Sequence, residues 1–270
     1  MLIAVLSLKG SPGVTTFSVA MAARWPDPAH VLLVEADPAG GDLATRFSLP
    51  PSPGLLSLAA GLRTGGTDPY LPWQHAQPLR GGLPTLTAPP DADQARAALL
   101  ALAPTSDSAF GVLRIAGLNP GSVVVVDCGR VGHGSPAMGI IRQADVLVLL
   151  TRADADHLSH LARKLAEIGR WAPRAVLLLA GNGHSVPDVA RELGVTPRGR
   201  VPHDARGASV LCGRPRPWWS RSGPAHSALG RFAHKMACSL ASTPALPLRH
   251  QAFSLPGLEE SRGTRGGVTP

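Results

Sequence analysis

Short apolar runs recur along this chain, separated by stretches whose apolar residues fall at helical spacing. The runs predict strands at 2–7, 31–35, 83–87, 122–126, 145–150, 175–180 and 199–202. The intervening periodicity predicts helices at 14–24, 54–63, 91–103, 108–117, 135–143, 154–170, 186–194 and 225–241. Runs such as Val123-Val124-Val125-Val126 are apolar at consecutive positions, without alternation. Such strands are buried on both faces, as in a parallel sheet covered by helices. Strand–helix alternation in this order predicts an α/β domain with a doubly wound, mainly parallel sheet flanked by helices. In that architecture ligands bind at the carboxyl ends of the strands.

The pattern also marks what lies outside the regular core. Residues 64–82 are rich in Gly and Pro and read as a surface excursion. Residues 243–270 carry Pro, Gly, Ser and Arg with little apolar periodicity and read as a disordered tail, which leaves 1–242 as one domain. No apolar stretch reaches the roughly 18 residues that would span a bilayer. The apolar N-terminal run has no basic leader and is broken by Lys9-Gly10, so it reads as a first strand and not a secretory signal. Cys128, Cys212 and Cys238 are widely spaced and in no metal-ligand pattern, as in reduced cytoplasmic proteins. A soluble, cytoplasmic protein is expected.

Charge divides the chain unevenly. Residues 1–150 hold nine basic and ten acidic side chains, whereas 151–270 hold seventeen and eight. A basic half is compatible with nucleic acid, bound without sequence preference, or with an anionic membrane. Its charges are scattered, so a solvated arginine-rich surface is the competing reading.

The candidate chemistry begins after the first strand. Lys9-Gly10-Ser11-Pro12-Gly13-Val14-Thr15-Thr16 joins an apolar strand to a predicted helix. Such a turn points backbone N–H groups at an anion, and the helix N-terminus adds partial positive charge. The full phosphate-loop pattern is not met, because Leu8 stands where its first Gly belongs and Val14 where its Lys belongs. Two further strands run into acids. The strand at 31–34 leads to Glu35-Ala36-Asp37-Pro38, and the strand at 123–126 leads to Asp127-Cys128-Gly129. In phosphoryl-transfer sites one such acid supports hydrated Mg²⁺ and another orients the attacking water.

These motifs, in this order, resemble those of the MinD/ParA family of deviant phosphate-loop (P-loop NTPase) ATPases. The loop is similar to the family's K-G-G-x-G-K-[ST]-[ST], Glu35-Ala36-Asp37-Pro38 to its D-x-D-p, and Asp127-Cys128-Gly129 to its D-x-x-[PG]. The segment 143–151 is similar to its "ad-x-v-l-v-v-t" strand, and Gly199-Arg200-Val201-Pro202-His203-Asp204 to its late "g-x-i-P-x-d" segment near the adenine. The similarity spans roughly 1–241.

The resemblance implies ATP and Mg²⁺ as cofactors, and a homodimer that forms around nucleotide. It implies that Lys9 is the signature lysine reaching the partner's phosphates, and that Gly10, Ser11, Gly13 and Thr16 contact phosphate. Thr15 and Asp127 would hold the metal, Asp37 would sit by the attacking water, and Pro202 and Asp204 would border the base. It further implies an unidentified protein partner in partitioning or positioning, and DNA binding through basic residues. The departures bear on each point. Val14 removes the cation that touches the β- and γ-phosphates, Pro12 has no N–H, and Glu35 replaces the first Asp of the pair. A nucleotide-binding switch and a pseudo-ATPase scaffold that keeps the fold without hydrolysis are therefore both open.

Other features have plainer readings. Trp218-Trp219 lies among arginines, but such a pair more often anchors a loop than stacks on bases. Leu229, Phe232, Met236 and Leu240 mark one face of a helix that packs on the sheet and does not enter a membrane. His157 and His160 are expected on one exposed helix.

Overall fold

A computed structural model describes residues 1–63, 68–103, 110–213 and 224–242. The expected tail, the Trp218-Trp219 pair and part of the 64–82 excursion lie outside the described residues. The strands are β1 (Leu2–Ser7), β2 (His30–Glu35), β3 (Gln77–Pro78), β4 (Pro84–Leu86), β5 (Ser122–Arg130), β6 (Val146–Arg152), β7 (Ala175–Ala180) and β8 (Gly199–Val201). The first six helices are α1 (Val14–Ala23), α2 (Leu43–Phe47), α3 (Leu55–Leu62), α4 (Leu71–Gln74), α5 (Ala92–Ala101) and α6 (Val112–Leu118). They are followed by α7 (Met138–Ile141), α8 (Ala155–Ala162), α9 (Leu165–Ile168), α10 (Val186–Leu193), α11 (Ala205–Leu211) and α12 (Ala228–Ala241).

All eight strands join one sheet in the order β3-β4-β2-β5-β1-β6-β7-β8. Every pairing is parallel except that of β3 with β4. Successive side chains of a strand point to opposite faces, so each central strand feeds two apolar layers. Leu2, Ala4, Leu6, Leu32, Val34, Val124 and Leu147 pack with α3, α5 and α6 on one face. Ile3, Val5, Leu33, Val125 and Val148 pack with α1 and α12 on the other. Fully burying a Leu or Ile side chain contributes about 1.5–3 kcal/mol. With Leu2, Ile3 and Leu6 all at 0% exposure, β1 is a firmly held foot for the loop that follows it.

Helix α1 is apolar around most of its circumference, as suits a helix enclosed by other elements. It lies against α12, with Phe17 and Phe232 in tilted contact at 6.2 Å between ring centroids. The expected packing of the 225–241 helix on the sheet is what the structure has, with Leu229, Met236 and Leu240 buried.

Three local departures from the expected elements have clear causes. Helices α2, α4 and α11 and the two-residue β3 were not expected, because elements of seven residues or fewer carry too little periodicity to read. The helix expected over 154–170 is two helices, since the Lys164 N–H bonds the carbonyl of Leu161, three residues back. Strand β5 continues past 126 through Arg130, because the backbone of 127–131 goes on pairing with β1 beyond a register shift. Asp127 is therefore within a paired strand and not beyond its end.

Candidate functional site

Loop 8–13 leaves β1 at Ser7 and enters α1 through Gly13, whose φ of +95° favours glycine. Helices α5, α8, α10, α11 and α12 each begin with a side chain that accepts from their first turn: Asp91, Asp154, Ser185, Asp204 and Ser227. Helix α1, like the shorter helices α2, α4, α6, α7 and α9, has no such cap, and it has no acid in its first turn. The N–H groups of Val14, Thr15 and Thr16 have no acceptor among the described residues. A ten-residue helix thus presents bare donors and the positive end of its dipole to the loop.

Ser11, Pro12, Gly13 and Thr16 form one wall of a cleft of about 250 Å³, with Pro202, His203 and Asp204 opposite and Phe17 and Leu229 between. The two segments read separately from the sequence are therefore walls of one cavity. Pro202 lines it at the end of β8. Asp204 lines it too, but its carboxylate accepts from the N–H of Gly207 (2.8 Å) and of Leu229 (3.1 Å), tying α11 to α12. Burial raises its pKa, but these and neighbouring hydrogen bonds outweigh that and leave it lowered.

The acids gather on the other side of the loop. Glu35 and Asp127 are register partners on β2 and β5, and both are buried. Asp127 Oδ1 accepts from the Gly129 N–H at 3.0 Å, whereas Oδ2 is buried without a hydrogen-bond partner. Burial pushes this carboxyl up to about 6, against the neighbouring Thr15 hydroxyl and the Gly129 N–H, while Asp37 raises it further. Asp37 is half-buried and accepts from the Ala39 N–H at 2.8 Å. Its pKa is raised, chiefly by burial, with Asp42 adding to the rise and Arg130 opposing it. Gly129 has φ +58°, and a Cβ there would lie 1.9 Å from Asp37 Oδ2, so the glycine is what lets the two acid-bearing segments approach.

Glu35 has a different task. Its Oε1 accepts from the N–H groups of Asp42 (2.7 Å) and Leu43 (3.0 Å), and its Oε2 from that of Ala88 (3.0 Å). Burial pushes its pKa up to about 7 against those three donors, with Asp127 adding to the rise. It clamps the 36–42 loop to the segment after β4.

The remaining predicted residues fall as follows. Lys9 and Ser11 are exposed, and Thr15 and Thr16 are half-buried. Thr16 Oγ1 lies 3.5 Å from Cys212 Sγ. Val14 is 5% exposed and packs with Ile3, Val5 and Phe17, so the position that lacks its lysine is part of the core. Among the described residues no His, Cys, Asp and Glu cluster has the makings of a metal site by itself.

His157 corrects the expectation of an exposed helix face. Its side chain is 14% exposed, and its Nδ1 lies 2.6 Å from Asp154 Oδ1. A Cβ at Gly10 would lie 2.8 Å from its Nε2, a buried atom with no hydrogen-bond partner. The imidazole therefore backs the loop. Asp154 three residues before His157 at a helix start was the available signal, a cap pattern with a ring at its third position. His160 is exposed as expected.

The eight-stranded, mostly parallel sheet flanked by helices has the fold of ParA/MinD P-loop ATPases. It is similar to the ParA family ATPase from Chlorobium tepidum TLS, with 17% identity and a TM-score of 0.65 over 88% of this chain and 98% of that one. The cell division ATPase MinD of Pyrococcus furiosus gives 15% identity and a TM-score of 0.64, covering 88% and 98%. The septum site-determining protein MinD from Pyrococcus horikoshii OT3, complexed with Mg-ADP, gives 16% and 0.61 over 89% and 97%. No protein-family model and no curated protein matches the sequence. No helix among the described residues is long and apolar enough to cross a membrane.

Proposed function

We propose that this protein is a nucleotide-dependent switch of the ParA/MinD kind, taking ATP with its phosphates on loop 9–16 and its base in the cleft beside Pro202. The observation that carries this is the uncapped start of α1 set beside the unpartnered Asp127 Oδ2. Bare backbone donors suit phosphate, and an orphaned carboxylate oxygen near a threonine hydroxyl suits a hard cation. Thr15 and Asp127 would hold Mg²⁺, which supplies neutralisation of phosphate charge when bound. Asp37, held by the Ala39 N–H, would orient a water, and Lys9, exposed on the loop, would reach the phosphates of a second copy in a homodimer.

Val14 favours a second reading of the same site. With an apolar side chain packed into the core at that position, the chain lacks one charge-assisted contact of about 1.5–3 kcal/mol. Nucleotide would then be held without turnover, and the protein would act as a scaffold whose partner reads the bound state. Non-specific DNA binding through the basic half is compatible with either reading, and retention on DNA would fall steeply with salt.

Titration of the full chain with a fluorescent ATP analogue and Mg²⁺, beside a phosphate-release assay, separates these readings. Saturable binding with release that Asp37→Ala abolishes supports the switch. Binding without release supports the scaffold, and no binding at millimolar ATP sinks the switch.

A further inference from the structure

The loop separates two clefts of opposite character. The 250 Å³ cleft described above is bordered by Phe17, Pro202 and Leu229. On the Lys9 side lies a wider one of about 800 Å³, whose lining includes Lys9, Arg96, Arg130, His133, Ser135 and His160 and no carboxylate. A triphosphate laid across the loop with its base in the first cleft directs its terminal phosphate to the second.

We propose that Arg130 supplies, from within the same chain, the cation that Val14 does not, and that it recognises the terminal phosphate of ATP. This rests on the nucleotide-switch reading above. Arg130 is the register partner of Ser7, so β5 pairing fixes its backbone beside the origin of the loop. The following N–H, of Val131, bonds the Ser7 carbonyl at 2.8 Å and continues that anchoring. The Arg130 side chain is exposed and makes no hydrogen bond or ion pair among the described residues, although its charge is felt by the Asp37 carboxyl. Ser135 Oγ, on the same cleft, is buried without a hydrogen-bond partner and has a proton to donate. A guanidinium always carries its charge and meets phosphate oxygens in pairs, which suits it to this task. Arg96 is held loosely by Asp93 at 3.9 Å and is less available.

The test compares ATP and ADP, since only ATP carries the terminal phosphate. Fluorescent-analogue titrations of the full chain with Mg²⁺ are run on wild type, Arg130→Ala and Arg130→Lys. Arg130→Ala is expected to weaken ATP about ten- to hundredfold and ADP less than about threefold. Arg130→Lys should keep most of the ATP affinity. Equal losses for ATP and ADP, or equal losses in the two variants, overturn the assignment. If wild type binds ATP and Arg130→Ala binds it equally well, Arg130 is excluded while the nucleotide reading stands. If wild type binds neither nucleotide, the underlying reading fails and takes this assignment with it.

Discussion

Two helices start on facing walls of the same cleft, and they start differently. Helix α11 begins at Asp204, whose carboxylate satisfies Gly207 and also reaches Leu229 on α12. Helix α1 begins at Gly13, which has no side chain to offer, and the donors behind it have no acceptor among the described residues. One wall is closed on itself and holds the fold together, while the other leaves its donors open. Under the proposed function the capped start serves stability and the uncapped start of α1 serves binding.

The largest effect is expected from making the two walls alike. A Cβ at Gly13 meets nothing within 4 Å, so Gly13→Asp has room for its side chain, although the φ of +95° strains the backbone there and a melting curve must first show the variant folded. Its carboxylate would compete for the helix donors and repel phosphate, and ATP affinity should fall by about a hundredfold or more. A titration that finds affinity unchanged removes loop 9–16 from the binding site.

Opening the closed wall comes next. Asp204→Ala deletes a cap and the tie to α12, and urea denaturation should show about 1–3 kcal/mol less stability. A loss under about 0.5 kcal/mol would mean that the carboxylate contributes little there.

The third prediction concerns pH. The Asp127 pKa is raised from 3.8 to about 6, so the folded chain binds this proton more tightly than the unfolded one. Its contribution to ligand-free stability is therefore greatest below pH 3.8 and is lost as pH rises through about 6. Mg²⁺-dependent nucleotide affinity runs the other way, rising through the same window as the carboxylate ionises. Melting curves from pH 4 to 8, with and without Mg-ATP, should show opposite slopes for this group, and Asp127→Asn should flatten both. Parallel slopes in wild type contradict a metal role.

The smallest effect tests the backing of the open wall. Gly10→Ala puts a methyl against His157 Nε2 at φ +65°, and about 1–2 kcal/mol of stability should go. Adding His157→Ala should return part of it, which a double-mutant cycle measures.

The α/β layering was legible because β1, β5 and β6 are apolar on consecutive positions and each is covered by helices on both sides. The loop and its acids were legible because order along the chain survives folding in a parallel sheet. What escaped was the allotment of tasks among similar side chains. Glu35 and Asp37 look alike in the sequence, yet one is locked to three backbone donors and the other faces the site. His157 was missed because its approach to Gly10 joins positions far apart in the sequence and exists only in space, between α8 and the loop. Arg130 lies beyond the strand expected to end at 126, and only pairing with β1 carries β5 through it.

The Glu35 clamp also bears on conformational entropy. By fastening the N–H groups of Asp42 and Leu43 to the strand that launches the segment, it closes 36–42 into a hoop with Asp37 on its rim. A hoop closed in advance has already surrendered its conformational freedom to folding, so an arriving ligand need not pay that entropy again. Under the proposed function, Asp37 would then be held in position before nucleotide arrives.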